Sequence, residues 1–185
     1  MSQYSKYFIF SYALLFATFV LANHAYSQAG VSRPIQSLNT YQSPLFGFQF
    51  QHPTDFPQIE EASNGVVFTF KVSDSLLAFN AIQIVVNDLS EPTSLQKYLR
   101  AYLAGLPGVK YDTLVVNQTT ITPEKIPAVR AEFQAGAGNF DFGKSILYIT
   151  IKNNTAYIIL YNFGDKTFEN HLIGFQSMID TFKLT

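Results

Sequence analysis

Two apolar runs, Ser145 to Ile151 and Ala156 to Phe163, flank the dipeptide Asn153-Asn154. Asn tolerates the left-handed backbone conformation that a tight hairpin needs. The arrangement predicts two strands paired across that turn. It points to folds built on an antiparallel sheet, because short connections between strands favour that pairing. Segments upstream extend the pattern. Phe46, Phe48 and Phe50 alternate with Gly47, Gln49 and Gln51, the signature of a half-buried strand over 45–51. His52-Pro53-Thr54-Asp55-Phe56-Pro57 is expected to stop it, since each Pro removes a backbone donor. Asn64-Gly65 predicts a turn. Further strands are predicted over Val66 to Val72, Phe79 to Val86, Tyr111 to Val116 and Ile126 to Ala135. In the last, Val129, Ala131, Phe133 and Ala135 alternate with Arg130, Glu132 and Gln134, so one face is buried and the other is wet or carries a helix rim.

Two segments carry the helical period instead. Leu95, Tyr98, Leu99, Tyr102 and Leu103 recur at i, i+3, i+4, i+7 and i+8, one apolar stripe. Thr93 and Gln96 fit a capping box there, Pro92 limits extension backwards, and Gly105 and Pro107 mark the end. Near the C-terminus Phe168, Leu172, Phe175, Ile179 and Phe182 form a second stripe, which Asp165 or Thr167 can cap. The element order is therefore β-β-β-α-β-β-β-β-α, with about seven strands and two main helices. This is an α+β domain whose antiparallel sheet must be covered by its helices. No repeat of solenoid length is visible.

The N-terminus has a different logic. Lys6 precedes the uncharged apolar stretch Tyr7 to Ala22, followed by Ala25-Tyr26-Ser27, the layout of a secretory signal peptide cleaved between Ser27 and Gln28. The apolar stretch is 16 residues long, short of the roughly 20 that span a bilayer. Residues 1–27 are thus expected to be an export signal, residues 28–44 a polar linker without clear period, and residues 45–185 the domain. An uncleaved leader serving as an anchor is the alternative. Two sequons, Asn117-Gln118-Thr119 and Asn153-Asn154-Thr155, would be glycosylated in a host with that chemistry and are otherwise polar turn residues.

Composition narrows the function classes. The chain has 185 residues, 12 basic and 13 acidic, and no Cys. The absence of Cys excludes disulfides, thiolate catalysis and Cys-bearing metal centres. The balanced, scattered charge argues against a nucleic-acid stripe. Hydrophobic residues make up 48 %, enough for a packed core without disulfides.

Few residues suggest chemistry. His52 and Asp55, with Glu60 and Glu61 behind them, could hold a cation. The spacing matches no metal motif, and a Pro-bounded turn accounts for these residues as well. His52 and Asp55 are the ligand-binding candidates. His171 falls beside the apolar stripe of the last helix. Asp141-Phe142-Gly143 looks like the kinase triplet, but the other kinase motifs are missing. Ala135-Gly136-Ala137-Gly138-Asn139 resembles a phosphate loop, yet it joins two strands and no helix N-terminus follows. There is no G-x-S-x-G, and His52 and His171 are the only imidazoles after the leader, so neither a catalytic set nor a cofactor is expected.

Taken in order, several landmarks resemble the PsbP-like family, with the Mog1/PsbP/DcrB type of fold. They are Gly47-Phe48-Gln49-Phe50-Gln51-His52-Pro53-Thr54-Asp55-Phe56, the Ser94-Leu95 helix start, Ile121-Thr122 leading to Ile126-Pro127-Ala128, the Tyr157 hairpin and the ending Met178-Ile179-Asp180-Thr181-Phe182. They span about residues 41–184. His52 and Phe56 stand where that family usually has Tyr and Trp. The resemblance implies an antiparallel sheet sandwiched by helices and a non-catalytic extracytoplasmic protein. Some members of the family are extrinsic subunits of photosystem II that help retain calcium and chloride. No metal ligand carries over to a position of this chain. The expected function is an exported binding module with a protein partner at the membrane surface, with no nucleic acid and no membrane span after leader cleavage. The alternative is an extracytoplasmic carrier of a small apolar ligand or ion. A hydrolase using Glu60 or Glu61 with His52 is a third reading.

Overall fold

The computed structural model describes residues 37–54, 56, 59–60, 66–71, 81–106, 108–121, 123–137, 140–163 and 168–185. The leader with Ser27 and Gln28, Asp55, Glu61, the Asn64-Gly65 turn, and the caps at Asp165 and Thr167 lie outside the described residues. The elements run β1 (Leu38–Ser43), β2 (Phe48–Pro53), β3 (Ile59–Glu60), β4 (Val66–Lys71), β5 (Ala81–Asp88), α1 (Leu95–Gly105), β6 (Val109–Ile121), β7 (Ile126–Ala137), β8 (Phe140–Lys152), β9 (Thr155–Phe163), α2 (Phe168–Thr181) and β10 (Lys183–Leu184). They form a seven-stranded sheet in the order β3-β4-β5-β9-β8-β7-β6 and a three-stranded sheet in the order β1-β2-β10. Every pairing is antiparallel.

The large sheet is covered on both faces, and each face has its own core. On one side α1 lays Leu99, Tyr102 and Leu103 over Val129, Ala131 and Phe133 of β7, Leu147 and Ile149 of β8, and Ile158 and Leu160 of β9. On the other, α2 and the small sheet bring Phe48, Phe50, Phe175, Met178, Ile179 and Phe182 against Ile82, Ile84, Tyr148, Tyr157, Ile159 and Tyr161. The rings of Tyr161 and Phe175 stack at 4.7 Å, and those of Phe48 and Phe182 at 5.6 Å. The result is the expected α+β sandwich, with a small second sheet beside the C-terminal helix.

Physical detail accounts for where elements begin and end. Asn153 and Asn154 take φ of 53° and 60°, the two left-handed residues of the hairpin read from the sequence. The cap of α1 is Ser94, one residue later than the Thr93 box: its Oγ accepts from the Lys97 N–H at 3.3 Å, while Thr93 Oγ1 donates to the Glu91 carbonyl. The first domain strand starts at Phe48, because residues 44–47 turn, with Gly47 at φ 65° and its N–H bonded to the Ser43 carbonyl at 2.9 Å.

Pro53 does not stop that strand. It pairs with Leu38, and β10 reaches only Phe48 and Gln49 on the other side, so the N–H that Pro lacks is not required. Residues 38–43 correct the linker reading over 28–44, since they form β1 along β2. Only Tyr41 of β1 packs against the core, with its ring 5.5 Å from Phe50. One aromatic in six residues leaves no period to read.

The strand expected over 111–116 extends to Ile121 and contains a bulge: Lys110 opposes Gln134, but Val115 already opposes Glu132. Thr113 bridges the bulge, donating its Oγ1–H to the Lys110 carbonyl at 2.7 Å and accepting from the Gln134 N–H at 2.8 Å. Ala135, Gly136 and Ala137 of the glycine-rich stretch belong to β7, while Gly138 and Asn139 lie outside the described residues. Gly136 N–H donates to the Gly108 carbonyl at 2.8 Å, and a Cβ on Gly108 (φ 74°) would sit 2.2 Å from the Gly136 oxygen. These glycines let two backbones meet.

Candidate functional site

Side chains on the α2 face of β7 alternate with those packed under α1. Ala128 is buried in the α2-side core, and Arg130, Glu132 and Gln134 follow it along β7 on the same face. Arg130 forms an ion pair with Glu132 and donates its Nε–H to the Tyr148 hydroxyl at 3.0 Å. Tyr148 lies opposite Arg130 on β8, and its ring is buried. Burial lifts its phenol above the ordinary value of 10.0, the Arg130 charge pulls it back, and Asp180 on α2 and Glu132 add small upward pushes. The alternation in sequence places Arg130 and Glu132 on the wet face. Tyr148 is not legible in that way, because it sits inside the apolar run Ser145 to Ile151.

Beside this cluster, Thr113, Val115, Glu132, Gln134 and Lys144 line a groove of about 140 Å³. Small-molecule sites usually enclose roughly 300 Å³ or more, so the groove is small for a carrier.

Of the residues singled out as ligand candidates, Asp55 lies outside the described residues and His52 lies within them. His52 is buried at 7 % exposure and donates its Nδ1–H to the Pro53 carbonyl at 2.9 Å. A carbonyl can only accept, so that contact assigns the proton to Nδ1. The imidazole also meets Phe50 edge-on at 6.2 Å. His171 is half-buried on α2, with its ring 6.2 Å from Phe56. Glu60 is placed in β3 by its backbone. Among the described residues, no three His, Asp or Glu side chains converge in a way that could hold a metal ion. Asn117 is exposed on β6 and Asn153 is exposed in the hairpin turn.

The surface these layers leave uncovered lies along β6, one end of the large sheet. Tyr111, Val115 and Val116 are 56 %, 54 % and 39 % exposed, and of the strand's thirteen residues only Ile121 is buried. Among the described residues, no helix is long and apolar enough to cross a membrane.

Comparison with known proteins places the fold. The solution structure of cyanobacterial PsbP (CyanoP) from Synechocystis sp. PCC 6803 superposes with a TM-score of 0.54 at 11 % sequence identity, covering 88 % of this chain and 98 % of that one. The chain therefore has a PsbP-like fold. No protein-family model matches the sequence, and no curated protein matches it.

Proposed function

We propose that this chain is an exported, non-enzymatic PsbP-like module that docks as an extrinsic protein on a membrane complex or a cell-surface partner. The observation that carries the reading is the fold likeness, which runs through nearly the whole cyanobacterial PsbP domain. Export rests on the layout of residues 1–27: Lys6, an uncharged apolar stretch and a small-x-small site ending at Ser27. The non-enzymatic part rests on the roles of the candidate residues. His52 is held by a carbonyl, and Arg130 and Glu132 pair with each other.

A native mass spectrum of the protein isolated from the envelope fraction of its own cells tests the reading. The expected result is a chain lacking residues 1–27 with a second polypeptide bound. A chain carrying a few hundred daltons of extra mass and no polypeptide overturns it in favour of the carrier. A full 20.8 kDa chain shows that the leader is kept as an anchor and refutes the cleavage.

A further inference from the structure

The two ends of the large sheet are built differently. At one end the described part of β3 is two residues long, and a strand that short does not template another. At the other end β6 runs for thirteen residues and, among the described residues, pairs with β7 alone. Natural sheets guard such an edge with charges, Pro or bulges. Here the guard covers only the first half, where the bulge, Lys110 and Asp112 lie. The second half, Val115-Val116-Asn117-Gln118-Thr119-Thr120-Ile121, pairs in unbroken register with Glu132 to Ile126. It contains no charge, no Pro and no Gly, and five of its seven residues are β-branched. A segment of that composition readily pairs with another strand.

We propose that this edge pairs with the same edge of a second copy of the chain, antiparallel about Gln118, so that one sheet continues through both copies. The segment is complementary to itself in that register. Val116 falls opposite Thr120, Val115 opposite Ile121, Asn117 opposite Thr119, and Gln118 opposite Gln118. Each pair keeps its face, since residues 115, 117, 119 and 121 share one side and 116, 118 and 120 the other. β-branched side chains meet β-branched ones, and amides meet a hydroxyl or an amide, which are favourable cross-strand pairs. No like charges oppose, and a formal net charge of −1 adds little repulsion between copies. A charged partner strand would find no complementary charge on this edge, which is why a second copy is the better occupant.

The proposal stands apart from the docking reading, because a monomeric chain can still be an extrinsic subunit. It is tested by sedimentation velocity over a concentration series of the purified protein. The expected result is a reversible dimer. Gln118→Lys, at an exposed position, places two ammonium groups opposite each other and weakens the dimer by roughly fivefold.

The chain has no Cys, so single cysteines report register directly. Gln118→Cys gives a covalent dimer on mild oxidation. An equal mixture of Asn117→Cys and Thr119→Cys chains cross-links to each other more than either does to itself. Circular dichroism matching the parent shows that the variants fold. A wild-type chain that stays monomeric at every concentration overturns the proposal. So does a dimer that Gln118→Lys leaves intact and Gln118→Cys fails to trap. A monomer that releases a different polypeptide on Gln118→Lys overturns the second copy as occupant.

Discussion

Strands β9 and β6 lie in one sheet and have similar tastes in sequence, yet they live in opposite surroundings. In β9 the six consecutive residues Ala156 to Tyr161 are all buried. The strand has β5 on one side and β8 on the other, α1-side core under Ile158 and Leu160, and α2-side core over Tyr157, Ile159 and Tyr161. In β6 one residue of thirteen is buried. The difference is coverage. Helix α1 packs mainly on β7 and β8, and α2 mainly on β2 and β9, so β6 meets the two cores only through Val109 and Leu114 on the α1 side and Ile121 on the α2 side. Stability therefore concentrates at the centre of the sheet, and the edge leaves Tyr111, Val115 and Val116 exposed. Strand propensity sets what can pair, but burial on both faces sets how much that pairing stabilises.

Substitutions can break or sharpen that contrast. The largest effect is expected from Ile159→Ala, which empties a fully buried site between β9 and α2. It should lower the unfolding free energy by about 4 kcal/mol in urea titration. A loss below about 1 kcal/mol would show that the core collapses around the gap and that the centre is no more critical than the edge.

Gly108→Ala comes next. At φ 74° with its Cβ aimed at the Gly136 carbonyl, the variant should lose about 2–3 kcal/mol. That result would make the β6–β7 backbone contact the one rigid point of the edge. An unchanged urea midpoint would mean that the edge shifts freely.

Tyr148→Phe removes the bond from Arg130 and should lower stability by about 1 kcal/mol at neutral pH. Its pH dependence is the sharper readout. The folded phenol titrates above its ordinary 10.0, chiefly because it is buried. The unfolded chain therefore releases this proton first as pH rises. The Tyr148 contribution is whole below pH 10.0 and is lost as pH climbs from there through the raised folded value. The stability curves of the variant and the parent should converge above pH 10. Curves that stay parallel would remove burial as the cause of the shift.

The smallest effect is expected from Val115→Thr, at an exposed position of β6. It should change stability by no more than about 0.5 kcal/mol. A larger loss would mean that the β6 face is packed in solution, as a second copy would pack it.

Much of the fold was legible because the signals were local. The Asn153-Asn154 hairpin needs nothing but two residues that accept positive φ, and the α1 stripe needs only a helical period. Strand β1 was not legible, because its single core contact, Tyr41, depends on where β2 places Phe48 and Phe50. The end of β6 was hidden for a related reason: a strand paired on one side and covered only at a few positions, such as Leu114 and Ile121, need not alternate. For the site, Arg130 and Glu132 could be read from alternation. Tyr148 could not, since nothing in an apolar run says which ring lies beside an arginine on the neighbouring strand.

The sequence by itself determined the α+β class, the antiparallel pairing, both helices and the wet face of β7, because each follows from period and turn chemistry within a dozen residues. Only the tertiary structure decided that His52 is spent on the Pro53 carbonyl, that Gly108 and Gly136 bring two strands together, and that β6 is the open end of the sheet. These are matters of which segments meet, and a contact between residues far apart in the chain leaves no periodic trace in either one.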